Sequence, residues 1–130
     1  DESANERLGS RIAEKMGIPD DLTGTRGERR AIGYEVFSTA SYNRMIERAT
    51  SAYGNTSACE FVAEAGTMKI IDPKGWKEVQ NRKLDIAGET KESLLNLVNR
   101  NRLYGEELKL EDLKDVSVSI ADLYEMLGGV

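Results

Sequence analysis

The amino-acid sequence predicts a small, mainly α-helical domain of four to five helices, with room for one short β-hairpin or β segment and with an α+β fold as the alternative. Apolar residues recur at three- and four-residue intervals in several segments, which is the period of an amphipathic helix. No internal repeat or low-complexity tract is visible, so we interpret residues 1–130 as one domain. A domain of 130 residues buries enough surface to fold without a disulfide or a metal.

The first helix is expected to run from about Ser3 to Met16. Leu8 and Ile12 precede Met16 at a spacing of four residues, and Gly17 is well placed as the C-cap. The following residues, GIPDDLTGTRG, are typical of a loop because they combine glycine with turn-forming Asp and Thr.

A second and longer helix is expected from Glu28 to Tyr53. Its apolar positions recur at helical spacing and are Ile32, Val36, Phe37, Ala40, Met45, Ile46, Ala49 and Tyr53. The segment FSTAS in its middle has small side chains and weak helix propensity, which would allow another helix to approach closely or would mark a kink.

Residues 59–72 are ambiguous between a helix and a β-hairpin that turns at Gly66 and Thr67. We favour a short helix followed by one short extended segment at MKIID. Pro73 and Gly75 then predict a turn.

Two further helices are expected in the remainder of the chain. One runs from about Glu89 to Leu103 and ends near Gly105. The other follows Ser119, which stands three residues before Asp122 in a capping arrangement. Its apolar stripe comprises Ile120, Leu123, Tyr124 and Leu127. Before it, the segments LKLEDL and VSVSI alternate apolar and polar residues, which predicts short strands.

The absence of histidine and the single cysteine, Cys59, exclude several function classes. They exclude Cys/His metal centres, His-based catalytic triads and a disulfide framework. Glu60, Glu64 and Asp72 could hold a divalent cation in a hydrolase. With 23 acidic residues in the chain, however, such groupings are expected by chance. We therefore expect no catalytic residue, no metal, no cofactor and no enzymatic activity.

The charge balance favours protein partners. The chain has 18 basic and 23 acidic residues, a net charge of −5, and residues 101–130 alone contribute −4 of it. A nucleic-acid binder usually carries a basic footprint. No apolar run approaches the roughly 20 residues that a membrane-spanning helix needs. We expect a location in the cytoplasm or in a virion, without membrane contact.

Arg26, Arg29 and Arg30 form a basic cluster at the start of the second helix. Cations at a helix N-terminus are unfavourable for the helix dipole, whereas an anion is attracted there. This predicts an anion or an acidic partner that contacts the three arginines.

The segment RLGSRIAEKMGIP resembles the first helix and turn of helix-turn-helix DNA-binding proteins. That resemblance implies a small DNA-binding regulator, which is the alternative function. The next residues, DDLTGTRGER, place two aspartates and two glycines where the recognition helix would begin. Nucleic acid is therefore not the favoured partner.

The preferred hypothesis is a non-enzymatic protein-interaction or assembly module that self-associates as a homo-oligomer. A structural or assembly component of a virus or phage particle is one version of it. The predicted interface residues have apolar or aromatic side chains, and they are Leu123, Tyr124, Leu127 and Trp76. For the aromatic residues Trp76 and Tyr124 the alternative is a place in the core, which is the favoured interpretation of Trp76.

Overall fold

The computed structural model of the chain describes residues 2–19, 25–51, 54, 57–100 and 106–130. These residues form the helices α1 (Glu2–Met16), α2 (Arg26–Tyr42), α3 (Met45–Ala49), α4 (Ala58–Ile71), α5 (Pro73–Val79), α6 (Gly88–Arg100) and α7 (Ile120–Met126). The strands are β1 (Lys83–Ile86) and β2 (Val116–Ser119), and a 3₁₀ turn lies at Leu110–Asp112. The predicted class, mainly α with a small β element, is confirmed, with seven helices in the described residues instead of the four to five expected. One of the additional helices is α5, which begins at Pro73 where a turn was predicted.

Helix α1 ends as the sequence predicts. Gly17 adopts φ +79°, and its N–H donates to the carbonyl oxygen of Glu14 at 3.2 Å. The N–H of Ile18 donates to the carbonyl oxygen of Ala13 at 2.9 Å, and the Ile18 side chain is buried. This pair of bonds is a Schellman motif, which satisfies the last carbonyls of the helix.

The prediction of one continuous helix from Glu28 to Tyr53 is wrong, because α2 ends at Tyr42 and a separate helix, α3, begins at Met45. Arg44 adopts a left-handed conformation with φ 60°, which interrupts the helical hydrogen bonds before α3 begins. Within α2 the Thr39 hydroxyl donates to the Glu35 carbonyl at 2.9 Å, a contact that favours bending. The predicted end at Tyr53 lies outside the described residues.

Residues 58–71 form one helix, so both the predicted hairpin and the extended segment at MKIID are wrong. Ser57 caps the N-terminus by accepting a hydrogen bond from the Glu60 N–H at 3.1 Å. Phe61 and Ala65, four residues apart, are both buried. Core packing of this helical face overrides the local strand-like alternation.

Gly66, the predicted turn residue, lies within α4, where Tyr124 packs against it. A Cβ at this position would lie 3.1 Å from the Tyr124 hydroxyl oxygen. The glycine therefore provides space for the ring rather than a turn.

The sheet joins strands that are distant in sequence. Strand β1 pairs antiparallel with β2, with Leu84 opposite Val118 and Ile86 opposite Val116, and α6 lies between them in the chain. The sequence predicted β2 within VSVSI but missed β1. It also predicted a strand at LKLEDL, which instead contains the 3₁₀ turn. The predicted helix end near Gly105 lies outside the described residues.

The most extensive contact between helices in the described residues is the crossing of α1 and α2, where two glycines meet the opposite backbone. A Cβ on Gly9 would collide with the Arg29 carbonyl group, and a Cβ on Gly33 would collide with that of Asn5. Only glycine allows the two backbones to approach this closely.

Helix α7 closes the core from the other end. Ser119 accepts from the Asp122 N–H at 3.0 Å, and the Asp122 carboxylate accepts from the Ser119 N–H at 3.0 Å. This capping box confirms the predicted start of the last helix. No helix in the described ranges is both long enough and apolar enough to span a membrane.

Candidate interaction surfaces

The predicted arginine cluster lies at the first turn of α2, after the N-cap residue Thr25. Arg26 Nε lies 3.0 Å from Glu6 Oε2, and Arg29 Nη2 lies 3.1 Å from Glu6 Oε1. A carboxylate of the same chain therefore occupies the position that we predicted for an acidic partner. The anion- or partner-binding role of the cluster stays a prediction.

The two ion pairs differ in their exposure to water. The Arg26 side chain is 72% exposed, whereas those of Arg29 and Glu6 are 24% and 20% exposed. Hydrogen bonds from Arg29, then from Arg26, lower the pKa of Glu6 below its ordinary value. Because water screens the exposed pair more strongly, Arg29 is the main partner.

Arg30 faces a different part of the surface. Its Nε donates to the Arg26 carbonyl at 3.5 Å, and it lines a shallow cavity of about 360 Å³ with Asn5 and Tyr34. Glu6 thus forms ion pairs with two of the three arginines of the cluster, while the third, Arg30, lines the same cavity as the exposed ring of Tyr34.

The four predicted interface residues lie inside the molecule. Trp76, Leu123, Tyr124 and Leu127 are all less than a tenth exposed. The rings of Trp76 and Tyr124 meet nearly edge to face, with centroids 5.6 Å apart. Their burial explains the apolar stripe of α7 by packing within the chain, without any partner.

Tyr124 is also fixed by polar contacts. Its hydroxyl donates to the Val130 carbonyl at 3.1 Å and accepts from the Val130 N–H at 3.2 Å. The Lys69 ammonium lies 5.0 Å from the centroid of its ring. These contacts attach the last residues of the chain to the C-terminal half of α4.

The carboxylates considered for a hydrolase, Glu60, Glu64 and Asp72, line one groove of about 500 Å³, and the last two have structural roles. Both oxygens of Glu64 lie 2.7 Å from the Ser51 hydroxyl. Asp72 caps α5 by accepting from the Gly75 N–H at 3.0 Å. Among the described residues, no group of three Cys, Asp or Glu side chains could hold a metal ion.

The same groove has an apolar side that the sequence analysis missed. Met68 and Ile71 line it, and Ile70 and Ile71 at the end of α4 are 81% and 76% exposed. The sequence signal was present in the adjacent isoleucines of MKIID. The sequence analysis assigned them to an extended segment, in which adjacent side chains point to opposite faces and do not form one exposed patch.

Two tyrosines of α2 are also exposed, Tyr34 at 64% and Tyr42 at 89%. They lie eight residues apart on the helix, and Tyr34 borders the cavity beside Arg30. Single exposed aromatics are common on protein surfaces, so they mark a weaker candidate than the paired isoleucines.

Comparison with protein-family models, with curated proteins and with solved structures found no match to this chain. The function is therefore inferred from the contacts, burial and charges of its own described residues.

Proposed function

We propose that this chain is a non-enzymatic protein-interaction or assembly module that self-associates. The proposal covers a component of a virus or phage particle as well as an accessory subunit. Its mechanism is burial of apolar surface, with charged side chains fixing the orientation of the partners.

The observation that carries the proposal is the uncovered apolar end of α4. The large apolar side chains of the core are buried, from Leu8 in α1 to Leu127 beyond α7. In contrast, Ile70 and Ile71 are adjacent and mostly exposed. Adjacent exposed apolar side chains beside a groove are typical of a surface that another protein covers.

Charge around the groove indicates how a partner is oriented. Glu60, Glu64 and Asp72 line the groove together with Met68 and Ile71. A surface with an apolar centre and a basic margin would match this arrangement, so a second copy would have to contact the groove with a different surface, in a heterologous contact. The engagement of Arg26 and Arg29 by Glu6 also supports protein contacts over phosphate contacts, because it reduces the charge available to a phosphate.

The test is the mass in solution, measured by light scattering after size exclusion. We expect the wild-type chain to exceed its 14.4 kDa monomer mass. Replacing both isoleucines (Ile70→Gln with Ile71→Gln) should lower the mass, because the partner surface loses its apolar contact. Glutamine is chosen because it is a good helix former.

Tyr42→Gln is the matched control, since it changes an equally exposed side chain on another helix. It should leave the mass unchanged. A wild-type chain that runs as a 14.4 kDa monomer at all concentrations would contradict self-association. An unchanged mass in the double isoleucine variant would remove the end of α4 from the interface.

A further inference from the structure

Strand β1 presents an open backbone edge. Residues of an antiparallel strand alternately point their backbone groups toward and away from the partner strand. The Ile120 N–H donates to the Arg82 carbonyl at 2.9 Å, so these two residues form a hydrogen-bonded pair. Because such pairs alternate along the ladder, the backbone groups of Leu84 and Ile86 also point toward β2. The backbone N–H and C=O groups of Lys83 and Asp85 therefore point away from β2.

The outer edge of β2 is partly occupied, whereas that of β1 is not. The outward N–H of Ser119 donates to the Asp122 carboxylate in the capping box. Along the other edge, all four residues from Arg82 to Asp85 line a groove of about 860 Å³, together with Asn43 and Met45. No described residue bonds to the outward backbone groups of Lys83 and Asp85. The groove leaves room for another strand beside β1.

We propose that β1 pairs antiparallel with β1 of a second copy of this chain, with Leu84 on the two-fold axis. This inference rests on the proposed self-association and adds a second contact, separate from the one at the end of α4. Lys83 would lie opposite Asp85 of the other copy, and Asp85 opposite its Lys83. Each of these pairs exchanges two backbone hydrogen bonds, and the two sheets join into one of four strands.

The charges select this register. Charged side chains on a sheet edge usually prevent pairing when they have one sign, because like charges meet across the strands. The Lys83 and Asp85 side chains are both exposed and opposite in sign, two residues apart. Shifting the two-fold axis to Lys83 or to Asp85 would place two lysines or two aspartates opposite each other. Only the axis at Leu84 pairs opposite charges.

The neighbouring contacts support the same arrangement. The Ser117 hydroxyl donates to Asp85 Oδ1 at 3.0 Å, which holds that carboxylate on the exposed face of the sheet. Leu84 is buried on the other face, where Met45 lines the groove. A Leu84 side chain from the second copy would meet its counterpart in a closely spaced, non-hydrogen-bonded pair.

The experiment is a charge exchange, read by sedimentation equilibrium at concentrations up to about 1 mM. With the axis at Leu84, position 83 of each copy lies opposite position 85 of the other. The single variants Lys83→Asp and Asp85→Lys therefore each place like charges together in both of these pairs. Each single variant should raise the dimer Kd by about tenfold or more. The exchanged pair (Lys83→Asp with Asp85→Lys) restores opposite charges and should return Kd to near the wild-type value.

A proline pair tests the backbone contacts of the edge. Asp85→Pro removes an outward N–H as well as the Asp85 carboxylate, without touching the bonds to β2. It should raise the dimer Kd beyond the value for Asp85→Lys, which keeps the N–H. Ser117→Pro is the matched control, since it removes an outward N–H from the other edge of the same sheet. Ser117→Ala controls for loss of the Ser117–Asp85 hydrogen bond. Circular dichroism verifies that each variant is folded.

Each outcome has one meaning. If the wild-type chain is monomeric throughout, the proposed self-association and this junction both fail. If it self-associates but the single charge variants leave Kd unchanged, the junction alone is overturned. If the single variants weaken association and the exchanged pair does not restore it, the register through Leu84 is overturned.

Discussion

Glu6 connects the first two helices through two arginines of α2. Its carboxylate oxygens lie 3.0 Å from Arg26 Nε and 3.1 Å from Arg29 Nη2. The sequence predicted an anion or an acidic partner for the arginine cluster, and the structure places Glu6 of the same chain there. Twenty residues separate Glu6 from Arg26, and only the packing of α1 on α2 brings them together.

At this residue scale we predict a pH dependence of stability. The pKa of Glu6 is lowered from about 4.5 by Arg29 and Arg26 in the folded chain. Its ion pairs therefore stabilise the fold fully above that pH, and this contribution is lost as the pH falls through the lowered folded-state pKa. In the Glu6→Gln variant the free energy of unfolding should therefore fall less on acidification than it does in the wild type.

The measurement is denaturant unfolding across the acid range, for the wild type and Glu6→Gln. Glu14→Gln is the control, since Glu14 lies on the same helix and takes part in neither ion pair. The control should retain the wild-type pH dependence. Equal dependence in all three proteins would show that the Glu6 pairs contribute nothing to stability.

At the scale of elements, tertiary contacts decide which helix faces are buried and where a helix forms without strong local signals. The apolar stripes of α1 and α7 were visible in the sequence because each helix buries one face. Helix α4 was not predicted as one unit, since GTMKII has no cap or clear helical stripe of its own. Its last turns are held by Tyr124 against Gly66 and by Lys69 against the Tyr124 ring.

We predict that the crossing of α1 and α2 tolerates no side chain at Gly9. A methyl group there would meet the Arg29 carbonyl, which belongs to the backbone and cannot rotate away. Gly9→Ala should lower the free energy of unfolding by about 1–3 kcal/mol despite the better helix propensity of alanine. Denaturant unfolding measures the change.

Gly27→Ala supplies the comparison for this prediction. The nearest atom to a Cβ at Gly27 is the Thr25 hydroxyl oxygen at 3.9 Å, so the methyl group fits. This variant should be unchanged or more stable by up to about 1 kcal/mol. If Gly9→Ala were as stable as Gly27→Ala, the close approach of the two helices would be wrong.

At the scale of the whole molecule, the described helices and the sheet pack around one hydrophobic core, and the four predicted interface residues belong to that core. Leu123 is fully buried and Trp76 packs on Tyr124. A change at Leu123 therefore tests folding rather than association. Among the described residues, the surfaces that we propose for association are the end of α4 and the edge of β1.

Leu123→Asp should unfold the chain, because an unpaired carboxylate would be placed in an apolar core. The expected loss exceeds about 4 kcal/mol. Circular dichroism would show the loss of helix, and fluorescence of Trp76, the chain's one tryptophan, would report its exposure to water. The double glutamine variant at Ile70 and Ile71 should remain folded. A folded, dispersed Leu123→Asp protein would instead return α7 to the interface.

The sequence by itself determined the helical class, the end of α1 at Gly17 and the start of α7 at Ser119. These features depend on residues a few positions apart, through hydrogen-bonding caps and helical periodicity. Only the tertiary structure decided the pairing of β1 with β2, the partner of the arginines and the burial of Trp76. Those contacts join residues far apart in the chain, where local preference carries no information about which surfaces meet.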